Sequence, residues 1–527
     1  MGKRSVKTED VFRHVESSAE DRDRLVDVNH LHLTRTRWCT MVHERMLRSA
    51  GCRCGSNDGH SKAQEAQSCQ TLFLKRVEVE MEVDDSSEYD RKIVSFKDLG
   101  RFKLTDRRYN DDSLNIYTAR LNDLREDTLR RAKLKWTNYQ HVEVSHLTLE
   151  TSGKSYILIG VLYKDQRLKP SFLRDLSKEL QLEAQPSNNY ASVDDQLFLE
   201  DETLRVKLVG NCMDIQEVVT GLVCAVLGHE LENGTFWVED WCFPGYYLKP
   251  SSVSSSLVED GKILLISGLD LVNNTDEFSL DLLSEWITGM AGCANVQKEE
   301  AAIAKVIIAG NSIRSSTKIY SHKGYHEIKS HDQLKIKEDI IAMHKLDAFL
   351  SNILNCCCVV LMPGEFDPTC NYSMPQQPFH PCTLEKSVRF KSMHGATNPW
   401  IANIGGRVVA GSCGGPIMDI MKIAGLSPLS PLEWLEHTLI WGHYAPTGPD
   451  TLPIYPFFKN DPFVINEWPD IYFAGNMDEY DTKLVTADEG HAVRLICIPK
   501  FSETKTAVLV NLQDLTTQPI SFGDRLT

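Results

Sequence analysis

Strand-like and helix-like segments alternate from residue 262 to residue 515, and this alternation limits the folds open to the chain. Short apolar runs predict strands at Lys262–Gly268, Ala304–Gly310, Cys356–Pro363, Arg407–Ser412 and Asp470–Gly475. Helical spacing predicts helices at Ser279–Met290, Asp332–Asn355 and Pro431–Trp441. The apolar set of the second helix is Leu334, Ile340, Ile341, Leu346 and Leu350. Alternation of this kind predicts an α/β sandwich with a buried sheet. Together with the β-rich segment that precedes it, this sandwich makes the predicted fold class α+β and multidomain.

The preceding segment, residues 141 to 250, is mostly β in pattern. Strands are predicted at Ser155–Tyr163 and Arg205–Gly210. Two further apolar runs flank Asn233-Gly234, the strongest local signal for a hairpin. One helix is predicted at Pro170–Leu182, with proline in its first turn. Several short strands with a single helix indicate a small closed sheet such as an OB-fold barrel.

Two tryptophans raise the possibility of nucleic-acid binding by this barrel. OB-folds bind single strands by stacking bases on aromatic side chains in a basic groove, and Trp237 and Trp241 have the required side chains. However, the acidic residues Glu239 and Asp240 stand between them. A core or interface role is therefore the favoured interpretation for both.

The charge of the chain bears on the same question. The 527 residues carry a formal net charge of −16. Contacts with nucleic-acid phosphates require Lys and Arg, so the negative charge argues against a protein that binds nucleic acid by itself. It does not exclude a subunit of a larger complex whose basic nucleic-acid groove lies on another chain. The 15 cysteines form no regular framework, which is typical of reduced thiols in the cytosol or nucleus. No secretory signal or membrane-length apolar run is recognised.

Residues 1 to about 90 are polar and irregular, and we expect mostly disorder with a short helix near Thr40–Ser49. Zinc-binding residue types occur here, namely Cys52, Cys54, His60 and Cys69. The spacing of the first two is tighter than in standard zinc sites, so solvent-exposed thiols are the favoured interpretation.

The loop that follows the run Cys356–Leu361 is the place where an α/β enzyme carries its chemistry, because ligands bind outside the carboxyl ends of strands. Metal-dependent phosphoesterases of the calcineurin type have Gly-Asn-His-Asp at such a loop. Here the letters are Gly364-Glu365-Phe366-Asp367, and a phenyl ring has no lone pair to offer a metal. The loop resembles that of an enzyme without its catalytic chemistry.

Long motifs carry a second resemblance. They are MPGEFDPTCNYSMPQQPFHPC (362–382), VIIAGNSI (306–313), TNPW (397–400), APTGPDTLPIYPFFKNDPF (445–463), YFAGN (472–476), LFLEDETLRVKL (197–208) and VTGLVCAVLG (219–228). From about residue 93 onward the chain is similar to the family of small, B-type subunits of the replicative DNA polymerases alpha, delta and epsilon, and among them to the delta type. The resemblance implies an OB-fold barrel beside a calcineurin-like phosphoesterase α/β sandwich that has lost catalysis. It also implies a scaffold between the cysteine-rich C-terminal region of the catalytic subunit and a third subunit.

The lost ligands can be assigned by this resemblance, because a two-metal site needs Asp, His and Asn ligands around two ions. The degenerate former ligand positions are Gly268, Asp270, Asn311, Glu365, Phe366, Cys413, Asn476 and Asp478. None of them is a histidine, so no catalytic residue, metal site or cofactor is predicted. Some of these positions retain side-chain oxygens that can coordinate a hard cation, which leaves residual metal binding as an open alternative. They are Asp270, Asn311, Glu365 and Asp478.

Two further features of the loops are singled out. His380 is the one histidine of the loop 361–382, and a hydrogen bond that fixes the loop is favoured over a general base. The proline-rich stretch Pro446–Pro469 is long enough to be functional, and its aromatic side chains suggest a packed cover or a partner surface. The candidate partner surface comprises Tyr455, Phe457, Phe458 and Phe463.

The resemblance, together with the missing histidines, implies a non-catalytic scaffold subunit of a delta-type replicative polymerase in the nucleus, active in replication and repair synthesis. Its DNA contact is expected to be indirect or weak, with no membrane association. The predicted domains are an N-terminal extension (1–92), a helical segment (93–140), the OB-fold (141–255) and the inactive phosphoesterase domain (256–527). The alternatives are a metal-dependent phosphoesterase or nuclease with an altered site that includes Asp367, and a stand-alone single-strand-binding module.

Overall fold

The structure is a computed structural model that describes residues 90–523, except 106–114, 138–141, 144–154, 170–188, 203, 246–257, 275, 292–293, 315–324, 370–372, 458 and 487–490. The chain divides into two compact units, residues 1–86 and 87–527, and all described residues belong to the second. The predicted N-terminal disorder, the helix near Thr40–Ser49, the cysteine and histidine residues from Cys52 to Cys69, and the helix at Pro170–Leu182 lie outside the described residues.

The elements follow in chain order. The strands are β1 (Phe96–Asp98), β2 (Val142–Glu143), β3 (Tyr156–Asp165), β4 (Gln196–Glu200), β5 (Arg205–Val209), β6 (Val223–Glu230), β7 (Phe236–Cys242), β8 (Lys262–Ile266), β9 (Ile303–Ala309), β10 (Cys358–Met362), β11 (Met393–Gly395), β12 (Trp400–Ile404), β13 (Arg407–Ser412), β14 (Ile471–Met477), β15 (Asp481–Thr486), β16 (Ala492–Pro499), β17 (Thr506–Asn511) and β18 (Thr517–Ser521). The helices are α1 (Asn115–Lys135), α2 (Glu277–Ile287), α3 (Ala294–Ala301), α4 (Tyr325–Leu354), α5 (Gly415–Ile423), α6 (Pro431–Ile440) and α7 (Phe501–Thr504).

The strands from β3 to β7 form the predicted small closed sheet. β3 pairs with both β4 and β6, so the ring closes in the order β3–β4–β5–β7–β6–β3, and we call it the barrel. β3 is apolar on both faces because Leu158 and Leu162 face one core, whereas Ile157 and Ile159 pack in the cluster that includes α1. The predicted Asn-Gly turn joins β6 to β7, and Gly234 has a positive φ of 76° there.

Two six-stranded sheets form the rest of the described structure. Sheet I has the order β11–β10–β9–β8–β17–β18, and sheet II has the order β1–β12–β13–β14–β16–β15. β8, β9 and β10 run parallel in sheet I, and β13, β14 and β16 run parallel in sheet II. One apolar cluster joins the two sheets, with Leu265 and Val360 from sheet I and Val409 and Phe473 from sheet II.

Helices lie in the apolar clusters of the outer faces. Leu283 of α2 and Leu346 of α4 belong to a cluster with strands of sheet I. Ile420 of α5 and Trp434 of α6 belong to a cluster shared by sheet II and the barrel. The predicted strands and helices of this region are all present, and their ends shift by three residues or fewer except at the start of α4, which begins at Tyr325 and not at Asp332. The described structure is therefore mixed α/β, with a closed barrel beside two packed sheets.

Candidate functional site

The loops after the parallel strands of both sheets meet at one place, and the side chain of Asn476 joins them. Its Nδ2 donates to the carbonyl oxygens of Ala309 at 3.2 Å and of Cys413 at 2.9 Å. Its backbone N–H donates to Ser267 Oγ at 2.9 Å. Asn476 therefore links the ends of β8, β9 and β13 to its own strand β14. We call this meeting point the strand-end cluster, formed by residues 267–270, 309–313, 364–367, 412–415 and 475–477.

The backbone in this cluster is unusual. Asp270, Asn311 and Asn476 have φ values of 46°, 52° and 58°, in the left-handed region that residues with a Cβ rarely adopt. All three are positions that the resemblance assigns to former ligands. Asp270 and Asn311 lie in the turns that follow β8 and β9, and Asn476 lies at a register shift near the end of β14.

Glycines allow the turns to approach one another closely. A Cβ on Gly310 would stand 2.6 Å from Cys413 Cβ, and one on Gly268 would stand 2.7 Å from Asn476 Oδ1. Both distances are shorter than van der Waals contact. The turns therefore touch directly, and protein atoms fill the space between them.

Asp367 binds backbone groups of the neighbouring turn. Its carboxylate accepts the N–H groups of Ile313 and Gly364 at 2.8 Å and of Ser312 at 3.2 Å. Burial raises its pKa to about 6, and the three N–H donors oppose that rise. Asn311 Oδ1 in turn accepts the N–H of Phe366 at 3.3 Å. These side-chain oxygens fix the loop after β10 against the loop after β9.

Cys413 is bound on two sides by Asn398, a residue that the sequence analysis did not single out. Asn398 Nδ2 donates to Cys413 Sγ at 2.9 Å, and the N–H of Cys413 donates to Asn398 Oδ1 at 3.0 Å. Burial raises the pKa of the Cys413 thiol to about 11, so the thiol is protonated at neutral pH. The only sequence signal for Asn398 is its place in the motif TNPW.

The remaining carboxylates do not converge. Both carboxylate oxygens of Asp270 accept Asn273 Nδ2, at 3.0 and 3.1 Å, within the same turn. Glu365 lies near the Cys413 thiol, and partial removal from solvent raises its pKa. The Asp478 carboxylate is 87% exposed and accepts Lys500 Nζ at 2.8 Å. Within the described ranges no group of three or more His, Cys, Asp or Glu side chains is arranged to hold a metal ion.

The aromatic loop is mainly core, which corrects part of the candidate partner surface. Tyr455 is 5% exposed and Phe463 is fully buried, so neither can offer its ring to a partner. Phe463 stacks on Phe102 with ring centroids 5.8 Å apart. Phe457 is half-buried, and Phe458 lies outside the described residues. The segment acts as a packed cover because its rings join the apolar cluster shared by the barrel and sheet II.

A buried charge network holds this cover in place. Arg120 of α1 donates through Nε to Asp461 Oδ2 at 2.8 Å, and through its other nitrogens to the carbonyls of Gly221, Pro446 and Gly448. His443 Nε2 lies 2.9 Å from the same Asp461 oxygen. Burial lowers the pKa of His443 to about 4, so the imidazole is neutral at pH 7. Sequence periodicity gives no sign of this network, since Arg120 stands among other basic residues of a helix.

A second buried cation connects the barrel to the helix layer. Lys164 of β3 is 1% exposed, and its Nζ donates to the carbonyls of Val218 at 3.3 Å and of Ile423 at 3.5 Å. Asp195 Oδ2 lies 3.8 Å away. Burial lowers the pKa of Lys164 to about 8. The barrel and α5 are thus joined by polar groups that have been removed from water.

Other predicted residues have structural positions. His380 Nδ1 accepts the N–H of Cys382 at 3.2 Å, which confirms the hydrogen bond that was favoured for it. Trp237 and Trp241 are half-buried, and Trp241 lies 5.2 Å from Phe243 between ring centroids. In the part of the chain that the structure describes, no helix combines the length and apolarity needed to cross a membrane.

Comparison with known proteins gives two family matches. The OB-fold domain of the DNA polymerase delta subunit matches residues 114–241, which contain the barrel except its last residue, Cys242. The B-type subunit of DNA polymerases alpha and epsilon matches residues 263–482, which contain the strand-end cluster. A DNA polymerase delta small subunit from Arabidopsis thaliana is 36% identical over 85% of this chain and 99% of its own. DNA polymerase delta subunit 2 from Drosophila melanogaster is 34% identical over 80% and 96%. The Saccharomyces cerevisiae small subunit is 29% identical over 79% and 90%.

Proposed function

Because the chain belongs to the family of DNA polymerase delta small subunits, we propose that it is a non-catalytic scaffold subunit of the DNA polymerase delta complex. In this proposal it bridges the cysteine-rich C-terminal region of the catalytic subunit and a third accessory subunit. It acts in the nucleus, in replication and repair synthesis, with indirect or weak DNA contact.

The observation that carries the proposal is the state of the strand-end cluster. Its turns keep left-handed backbone at Asp270, Asn311 and Asn476, yet the polar side chains there bind backbone or side-chain groups of the protein. A bimetallic phosphoesterase would aim such groups at two ions a few ångströms apart. We infer that β8 to β18 form an inactivated calcineurin-like phosphoesterase sandwich whose shape has been retained for assembly.

The joint between barrel and sandwich supports a scaffold role. Arg120 and Lys164 are both buried, and each binds carbonyls or carboxylates of elements far away in the chain. Buried polar networks of this kind fix one relative arrangement of the parts they connect. A subunit that holds two partners in a set geometry benefits from such rigidity. The net charge of −16 would also complement a basic surface on a partner.

The proposal is tested by affinity purification of the full-length tagged chain from nuclear extract at moderate salt, with partners identified by mass spectrometry. The expected result is co-purification of a DNA polymerase catalytic subunit and a smaller accessory subunit at comparable molar amounts. Recovery of the chain without either polymerase subunit would overturn it.

A further inference from the structure

The first residue of β10 places an exposed thiol beside a buried lysine. Cys358 is exposed, and it pairs in parallel register with Lys305 of β9. Directly paired residues of neighbouring parallel strands project to the same face of the sheet, with backbones about 4.8 Å apart. The side chains of Cys358 and Lys305 are therefore neighbours at the start of two adjacent strands.

Lys305 has surroundings that are unusual for an ammonium group. The residue is only 5% exposed, and its Nζ lies 3.8 Å from the centroid of the Phe96 ring. Among the described residues no carboxylate lies within ion-pairing distance of it. Burial lowers the pKa of Lys305, and a negative charge on the neighbouring sulfur of Cys358 or Cys357 would oppose this shift. The cation is thus available to balance a negative charge on a cysteine sulfur.

We propose that Cys358 is a nucleophilic thiol and a site of covalent modification, with the Lys305 ammonium stabilising its thiolate. The thiolate is the reactive form of cysteine, and a neighbouring cation favours it. The proposed co-reactant is hydrogen peroxide. The sulfur attacks one peroxide oxygen, the O–O bond breaks, and hydroxide leaves and takes a proton to form water. The cysteine is oxidised to the sulfenic acid, and the peroxide is reduced.

The two cysteines that directly precede Cys358 at the start of β10 provide matched controls. Cys357 is 3% exposed, and burial raises its pKa to about 11, so it should be inert. Cys356 is exposed like Cys358 but does not share the register with Lys305. The comparison of Cys358 with Cys356 therefore separates the effect of Lys305 from that of exposure.

The test treats the full-length chain with hydrogen peroxide, captures sulfenic acid with dimedone, and measures labelling of each cysteine by mass spectrometry. Cys358 should be labelled at least about fivefold faster than Cys356, because thiolate stabilisation rather than exposure distinguishes them. Lys305→Met should slow Cys358 about three- to tenfold and leave Cys356 unchanged. Lys305→Arg, which keeps the charge, should retain most of the rate.

Cys357 reports whether Lys305→Met remains folded, since this thiol becomes accessible only if the strand opens. A rise of Cys357 labelling in Lys305→Met would show that this variant has opened. The proposal is then tested by the rate difference between Cys358 and Cys356 in the wild type and by the Cys358 rate in Lys305→Arg. Equal rates at Cys358 and Cys356 in the wild-type chain would overturn the proposal. So would a Cys358 rate that is unchanged in folded Lys305→Met.

Discussion

Arg120 Nε donates to Asp461 Oδ2 at 2.8 Å, and both side chains are buried, although 341 positions separate the residues in the chain. This pair connects α1, which packs on the barrel, to the proline-rich segment that covers sheet II. The same carboxylate also contacts His443, and its second oxygen accepts the N–H of Phe463. The cover is therefore held by a charge network as well as by its aromatic rings.

Removal of the guanidinium should destabilise the fold strongly. Arg120→Ala leaves the Asp461 carboxylate buried without its cation and three carbonyls without a donor, for an expected loss of about 3–5 kcal/mol of unfolding free energy. Lys345→Ala is the control, because Lys345 forms an exposed pair with Glu277 and should cost no more than about 1 kcal/mol. Chemical denaturation of both variants measures the difference. Equal stabilities for the two variants would contradict the network's role.

The same network predicts a dependence of stability on pH. Burial lowers the pKa of His443 from 6.5 to about 4. Between these two pH values the imidazole is protonated in the unfolded chain and neutral in the folded chain. Stability should therefore fall as pH drops below about 6.5 and stop falling from this source near pH 4, with a full effect on the order of 3 kcal/mol.

The measurement is the unfolding free energy between pH 7.5 and about 5, a range chosen because the unfolded imidazole titrates within it. His443→Gln should have a lower stability at pH 7.5 and a shallower decline than the wild type. Parallel pH profiles for the two proteins would show that His443 contributes no proton linkage.

Periodicity was sufficient for the strands and for the hairpin at Asn233-Gly234, because burial repeats with the local geometry of each element. It was insufficient for the buried face of α4. Ile340 and Ile341 were assigned to the apolar set, yet they are 50% and 59% exposed, whereas Ala342, Met343 and Phe349 are buried. Several registers of a long apolar helix satisfy the same spacing, and only packing against sheet I and α2 selects one.

The cluster and the cover differ in what the sequence could reveal. Gly268, Asn311 and Asn476 were reached only through motifs that resemble those of a known family, whereas the left-handed backbone that they share is visible only in the structure. Tyr455 and Phe463 were ambiguous, since aromatic rings serve cores and interfaces alike. Phe463 packs on Phe102, and Arg120 binds Asp461 in the same segment, but both of these partners are distant in sequence and carry no local signal.

The close approach of the turns predicts a sharp difference between two glycines with positive φ. A Cβ on Gly414 would overlap the carbonyl oxygen of Gly475, whereas one on Gly234 has open space around it. Gly234→Ala should lower the free energy of unfolding by only about 1–2 kcal/mol, because its one penalty is a Cβ in left-handed backbone. Gly414→Ala should cost at least about 2 kcal/mol more, because the turn after β13 must shift. Thermal melts of both variants check this, and similar melting temperatures would refute direct contact of the turns.

The strand-end cluster should be catalytically silent. Its positions hold no histidine, and the side chains of Asp270, Asn311 and Asn476 bind other groups of the protein, so the purified chain should not hydrolyse a chromogenic phosphodiester in manganese. The Asp270→Ala, Glu365→Ala double variant is the control for contaminating activity. A manganese-dependent rate that disappears in the double variant would contradict the inactivated assignment.

The central claim is that the chain is a scaffold for polymerase delta, and co-expression with the delta catalytic subunit tests it most directly. The catalytic subunit carries the only tag, and the eluate is resolved by size-exclusion chromatography with light scattering. The account predicts that both chains elute in one peak heavier than either alone. It also predicts that the Asp270→Ala, Glu365→Ala variant co-elutes to the same extent, because assembly does not use that chemistry. Absence of the chain from the tagged eluate, or its elution apart from the catalytic subunit, would contradict the account.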